Sequence, residues 1–528
     1  MRLDRLSIPR YRNLRSFDIN FDEKQPTTVL LGRNGTGKSN LIEAIVEIFR
    51  ELELGGAPAF AYTLQYVCRE RKIQIDADPA RQSKRLEISV EGKPLTLTAY
   101  QRDLDEYLPN YVFAYYSGWS SRLERHFDRP TRKHYDRILK SPDRELPLRR
   151  MFFCRKEYSQ LVLLAFFLTQ SEPARELLKR YLGIKRFESA LFVLKTPWWR
   201  GSGAPNKTQQ AEGDPRFWYA RGAFKGFLAR LWGRALAPIR NTEPVERDIR
   251  RQGESTERLY LFIKNEAELA SLKEKQEDSK TLFGYLESLF LCDLIDEVRV
   301  TVERNDGTRV KFTQMSEGEQ QLLTVLGLLL FTQNDESLYL LDEPDTHLNP
   351  VWTYDFLKLL QDNIRAEKGQ LIVATHNPLM IGSLHKNQVR LLTQADNRID
   401  ASEPEYEPMG IGVEGLLKSE LYGLRSTLAP EVLQKLDRHY LLLGKKNKTD
   451  VEQTELMRLA TELNDLGVAR SHPNPYFDLF ANAMARRREP PSEGALSKEE
   501  IDAQAESADE VLREVLAEER VDDKGKAS

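Results

Sequence analysis

The residues best suited to chemistry are Gly32-Arg33-Asn34-Gly35-Thr36-Gly37-Lys38-Ser39. Glycines at this spacing let a backbone loop turn its N–H groups inward around an anion, and a helix starting at the end of the loop adds positive potential. In such a loop Asn34, Gly35, Thr36, Gly37 and Asn40 surround phosphates. Lys38 reaches the β- and γ-phosphates of a nucleotide, and Ser39 places its hydroxyl on a magnesium ion. Far downstream, the apolar run Leu338–Leu341 ends in Asp342-Glu343. Asp342 suits a magnesium ligand, directly or through water, and Glu343 suits polarisation of an attacking water. A second apolar run, Leu371–Thr375, ends in His376, whose neutral imidazole can hydrogen-bond a γ-phosphate or that water. Ser316-Glu317-Gly318-Glu319-Gln320 precedes an apolar stretch and can offer a hydroxyl and backbone N–H groups to an anion.

These groups need a strand, a loop and a helix to place them. Thr28–Leu31 reads as a short buried strand, and apolar residues recur at helical spacing from Asn40 to Phe49. Segments 3–8 and 17–21 read as strands around Tyr11-Arg12-Asn13-Leu14, where Arg12 is a candidate contact to the base or the phosphates. Further strands are predicted at 62–67, 71–76, 85–90, 94–98 and 111–116, with Glu91-Gly92-Lys93 as a turn. Residues 151–195 and 255–290 read as helical. Asn305-Asp306-Gly307 marks a hairpin before the apolar helix Leu322–Phe331.

The composition narrows the alternatives. A net charge of -3 argues against a protein coated for nucleic acid, but Arg122, Arg125, Arg129, Arg132, Lys133, Arg137, Lys140, Arg144, Arg149 and Arg150 form a local basic run that could contact DNA, RNA or a protein. Phe217-Trp218-Tyr219 beside arginines could stack bases or pack the segment against its host. Cys68, Cys154 and Cys292 lie too far apart for a zinc pattern or a disulfide framework and suit a reducing, cytoplasmic setting. The greasiest run, Leu161–Leu168, is too short to span a bilayer. No sustained heptads occupy the stretch between Ser39 and Ser316, so a compact helical insertion is expected there instead of coiled-coil arms.

Taken in order, the motifs resemble the Walker A (32–39), signature (316–320), Walker B (340–344), D-loop (345–349) and H-loop (376) of ATP-binding-cassette-type ATPases. The forms around Tyr11–Leu14 and Asp342–Pro350 resemble the RecF/SMC/OLD-like branch. The resemblance implies an α/β P-loop head, a mixed sheet with added antiparallel strands, split into 1–120 and 296–400 around an insertion at 121–295. It implies ATP and Mg2+ as cofactors and a head-to-tail homodimer, or a higher oligomer. In that dimer Ser316, Gly318, Glu319, Asp345 and Asn349 act across the interface. No glutamine lies where the family's Q-loop residue would be expected.

Residues 401–486 read as a helical region and 487–528 as an acidic tail. The stretch from Ile411 to Glu431 is similar to tails of standalone anti-phage ATPases, those of Septu and retron systems. That similarity implies a separate nuclease or toxin effector as partner. The C-terminal third has no second strand-end carboxylate cluster, so no nuclease chemistry is expected in this chain, and a metal nuclease of the OLD kind is the alternative. A DNA-repair ATPase of the RecF kind is the other alternative.

Overall fold

The computed structural model describes residues 1–140, 148–169, 172–200, 205–222, 224–244, 255–333, 335–365, 367–395, 398–445 and 447–467, with positions 506, 510 and 513. Arg144 of the basic run and the acidic stretch 487–528, apart from those three positions, lie outside the described residues. The chain divides into two units, Met1–Tyr406 and Glu407–Ser528.

The first unit is built on a seven-stranded sheet. Its strands lie in the order Arg398–Ser402, Val389–Ala395, Thr27–Leu31, Gly369–Ala374, Ser337–Asp342, Tyr111–Tyr116 and Met151–Phe153. All neighbours are parallel except the edge pair Val389–Ala395 and Arg398–Ser402. Parallel strands buried on both faces read as continuous apolar runs, which explains Thr-Thr-Val-Leu-Leu and Leu-Tyr-Leu-Leu. Strand alternation then divides the side chains. Leu30, Val112, Ala114, Leu338, Leu340, Ile372 and Ala374 belong to one core with the helix Lys38–Leu54. That helix lies within the same core as a six-stranded antiparallel sheet, made from Arg2–Tyr11, Leu14–Asn20, Tyr62–Cys68, Arg71–Ala77, Leu86–Val90 and Lys93–Leu95.

The opposite alternation feeds a helical layer. Phe113 contacts Phe152 and stacks on Tyr339, and Phe152 leads on to Tyr158 and Phe283. The helix Tyr158–Thr169 is apolar all round and buried from Leu161 to Leu168, as expected of a helix enclosed by protein. It packs against Ser279–Leu291 and against Glu317–Thr332. At the second crossing Gly327 gives the room: a Cβ there would lie 2.1 Å from Val162 Cγ1. Tyr158–Thr169 is therefore a core helix of the Met1–Tyr406 unit.

Two sequence expectations are corrected here. Residues 184–195 and 255–263 are strands, Ile184–Lys195 and Ser255–Ile263, in a five-stranded antiparallel sheet with Ile239–Pro244, Ile295–Arg304 and Arg309–Lys311. Register shifts at Ile184/Arg186, Phe187/Ser189 and Val193/Leu194 break the two-residue alternation. The apolar residues Ile184, Phe187, Leu191 and Leu194 then fall three and four apart, which imitates helical spacing. In Ser255–Ile263 the alternation is visible only at its end, with Leu259, Leu261 and Ile263 buried. A third, smaller change is at 94–98. The strand stops at Leu95, and Thr96 caps the short helix Leu97–Arg102 through Ala99 N–H.

In the second unit Pro430–Gly444 packs with Asp450–Asp465, which opens on a Thr449–Glu452 capping box, and Val413–Lys418 precedes them. No described helix is long and apolar enough to cross a membrane.

Candidate active site

Parallel register brings the chemistry to one edge. Leu30 pairs with Ala374, Ala374 with Asp342, and Asp342 with Tyr116. The residues that follow these four strand ends, Gly32, Thr375-His376, Glu343 and Ser117, therefore emerge side by side. This is the carboxyl edge at which open α/β sheets bind ligands.

The loop that leaves the first strand has the conformation its glycines permit. Gly35 and Gly37 have φ 87° and 92°, and Gly37 is the left-handed residue at the start of Lys38–Leu54. A Cβ on Gly37 would meet Leu14 Cδ2 at 2.8 Å, so the loop is also fitted closely against Leu14-Asn13. Thr36 Oγ1 donates to Arg33 O at 2.8 Å, and Asn13 Nδ2 donates to Gly35 O at 2.7 Å. Lys38 is buried, and its Nζ donates to Gly32 O at 2.7 Å. Burial lowers the lysine pKa, and Glu343 and Asp342 act against that shift.

Asp342 is buried, and its Oδ1 has no hydrogen-bond partner. Burial pushes its carboxyl up to about 6, against the pull of a hydrogen bond from Ser39 and of the charge on Lys38. An orphaned carboxylate oxygen beside a serine hydroxyl is a hard oxygen donor set, the kind magnesium takes. Glu343 sits at φ 53°, a conformation that costs a non-glycine residue about 1–2 kcal/mol. Its N–H bonds Ala374 O at 2.8 Å, and its carbonyl accepts from Thr346 Oγ1 at 2.9 Å, which holds the turn. Its carboxyl pKa is raised chiefly by burial and moderated by His376 and Lys38. His376 Nδ1 lies 2.6 Å from Glu343 Oε2.

A cleft of about 250 Å³ is lined by Asn34, Gly35, Gly37, Lys38, Ser39, Asn40 and Glu343. Asn13 and Arg122 line it too, and sequence reasoning missed both. Asn13 is the sequence neighbour of Arg12, and Arg122 opens the basic run. Arg12 is absent from that lining, and its guanidinium pairs with the buried Glu43. The rest of the basic run divides. Arg149 pairs with buried Glu287, Arg150 with Asp105, and Arg129 with Glu51 at 3.5 Å. Arg125, Arg132, Lys133 and Arg137 are exposed. Among the aromatics, Phe217 and Trp218 are buried, and Trp218 Nε1 donates to Glu257.

The signature residues lie elsewhere. Ser316 caps Glu317–Thr332 by accepting from Glu319 N–H, while Glu319 accepts from Ser316 N–H at 2.7 Å and pairs with Arg304. Gly318 has a reason within the chain, since a Cβ would lie 2.4 Å from His347 O. Glu317 and His347 line a separate cleft of about 350 Å³ with Tyr115 and Cys154. Two D-loop residues are engaged within the chain. Asp345 is buried and accepts from Thr375 Oγ1 at 3.0 Å, and Asn349 Oδ1 caps Pro350–Asp362 through Trp352 N–H.

A family model described as "AAA domain, putative AbiEii toxin, Type IV TA system" matches residues 27–382. The chain belongs to that family. Membership of this AAA-domain family supports ATP hydrolysis in general, and the match runs from the strand before Gly32 past His376. Septu protein PtuA of Bacillus mycoides (strain KBAB4) is 29% identical over 202 residues, 36% of this chain. That match spans only 28% of PtuA. The "Retron Vc95 probable ATPase" of Vibrio cholerae serotype O1 biovar El Tor is 21% identical over 492 residues, 86% of each chain. Among solved structures, the SMC head domain from Thermotoga maritima matches 77% of this chain and 100% of its own, at 15% identity and TM-score 0.33.

Proposed function

We propose that this AAA-domain protein binds and slowly hydrolyses ATP as the regulatory subunit of a bacterial anti-phage defence system, dimerising on ATP and controlling a separate nuclease or toxin. The observation that carries the ATPase reading is the convergence of Lys38, Ser39, Asp342, Glu343 and His376 on one sheet edge. The similarity to the Septu and retron proteins carries the defence setting.

Ser39 and Asp342 would hold a magnesium ion, which when bound neutralises phosphate charge. Lys38 leaves Gly32 O for the phosphates, and the loop N–H groups orient the chain of phosphates. Glu343 accepts a proton from the attacking water, and burial makes it a stronger base than a surface glutamate. His376 orients that carboxylate from its outer side. In the same reading 1–120 and 296–400 form the ATPase head, 121–295 is its insertion, and 401–486 is a helical region that faces a partner. The protein works in the cytoplasm. The exposed arginines and lysine of Asp128–Lys140 favour a second reading in which DNA or RNA binds that helix.

The separation of Ser316 from the phosphate cleft supports a composite site, completed by the signature helix of a second copy. Ser316 is exposed and its O–H remains able to donate. The test mixes Ser316→Arg with Lys38→Ala, each inactive alone. One intact composite site per mixed dimer restores part of the phosphate release. Two folded variants that mix and yet recover no activity would refute it.

A further inference from the structure

Arg122 begins a loop-borne contact to the cleft that the motifs leave unassigned. It follows the strand Tyr111–Tyr116 on the sheet's functional edge and lines the cleft with Lys38, Ser39 and Glu343. Its Nε lies 2.8 Å from Glu43 Oε2. Glu43 follows Ser39 by four residues, so the two share one face of Lys38–Leu54, about 6 Å apart along the axis. The guanidinium is thus held one helical turn from the serine that faces the phosphates.

Glu43 does not depend on Arg122. Its side chain is 1% exposed, and its other oxygen is engaged by Arg12 and by His126 Nε2 at 2.8 Å. Three basic groups share one carboxylate, and removing one leaves the buried charge still paired. Arg122 is the one of the three that also reaches the cleft. Its side chain is 42% exposed, and besides its ion pair with Glu43 its charge acts on the Asp342 carboxyl. A planar guanidinium fork matches two phosphate oxygens at once.

We propose that Arg122 is a sensor of the third phosphate. It rests on Glu43 when the cleft holds a diphosphate or nothing, and it transfers to the γ-phosphate when a triphosphate enters. This rests on the nucleotide reading given above and names the group that tells ATP from ADP. Because Glu43 also holds His126 and Arg12, the transfer changes the charge balance at a contact between the phosphate-loop helix and the segment from Glu124 to Phe127.

The test titrates wild type, Arg122→Ala and Arg122→Lys with β,γ-imido-ATP and with ADP, both with magnesium, by calorimetry. Arg122→Ala should lose roughly 10- to 100-fold in affinity for the imido-triphosphate, the scale of a charge-assisted hydrogen bond, and stay within about threefold for ADP. Arg122→Lys keeps a cation against Glu43 but not the fork, so its triphosphate-to-diphosphate preference should fall between the other two. It decides the matter if the alanine variant does not fold. Equal losses for both nucleotides, or no change for either, would overturn the proposal. Wild type binding neither nucleotide would sink the nucleotide reading itself, a different outcome.

Discussion

The loop Gly32–Ser39 and the helix start Ser316–Glu319 both carry glycine and serine at a helix N-terminus, yet their polar groups are in different states. Around the loop, Lys38 is held on a backbone carbonyl, one oxygen of Asp342 is orphaned, and Glu343 sits in a strained turn. At the helix start the capping box is closed, Glu319 is paired with Arg304, and Gly318 is shaped by His347. Strain and orphaned polar groups concentrate where chemistry is done, whereas a satisfied cap contributes stability. The contrast teaches that a helix N-terminus with glycine and serine is only half of a site. In the proposed composite site the other half is the phosphate held by a second copy.

That contrast can be broken in several places. The largest effect is expected from Glu343→Gln. Nucleotide affinity should hold while phosphate release at saturating ATP drops by about 10²–10⁴-fold, the usual value of a positioned general base. Release at the wild-type rate would mean that the strained glutamate is not the base.

Lys38→Ala comes next, with a loss of affinity on the order of 100-fold, since several charge-assisted phosphate contacts go together. Calorimetry on dilute protein reads this, and Ser316→Ala measured alongside should leave that affinity unchanged. Equal losses in the two variants would erase the difference between the regions.

Asp342→Asn tests the orphaned carboxylate through pH. The carboxyl is pushed from its ordinary 3.8 up to about 6, so the folded protein holds the proton more tightly than the unfolded chain does. Wild-type stability from this group is full below about pH 4 and is lost as pH rises through 6. The asparagine variant, without metal, should therefore match wild type near pH 4 and exceed it by roughly 1–3 kcal/mol above pH 6. Denaturant melts across that range decide it, and a gap that narrows with rising pH would contradict the burial argument.

The smallest effect is Ser316→Ala, about 1 kcal/mol of stability from the lost N-cap. Equilibrium denaturation without nucleotide reads it. A loss well above that would show that the cap carries more of the head than one hydrogen bond.

The glycine loop, the Asp342-Glu343 pair, His376 and the strands that carry them are legible in the sequence. Each is encoded in a few consecutive residues, with an apolar run setting the strand and a polar residue at its end setting the chemistry. The hairpin at Asn305–Gly307 was legible for the same local reason, and Gly307 has the expected positive φ of 83°. The rest depends on contacts between distant parts of the chain. Ile184–Lys195 became a strand because bulges hide its alternation until partners define the register. The basic run was broken up because Glu43, Glu51, Asp105 and Glu287 meet it from distant parts of the chain. Asp345 was turned inward by Thr375, thirty residues further along the chain. Arg122 reached the cleft because the strand before it lies beside the one that ends in Asp342. Local spacing specifies what a residue can do, and long-range pairing of strands and charges specifies which residues are left free to do it.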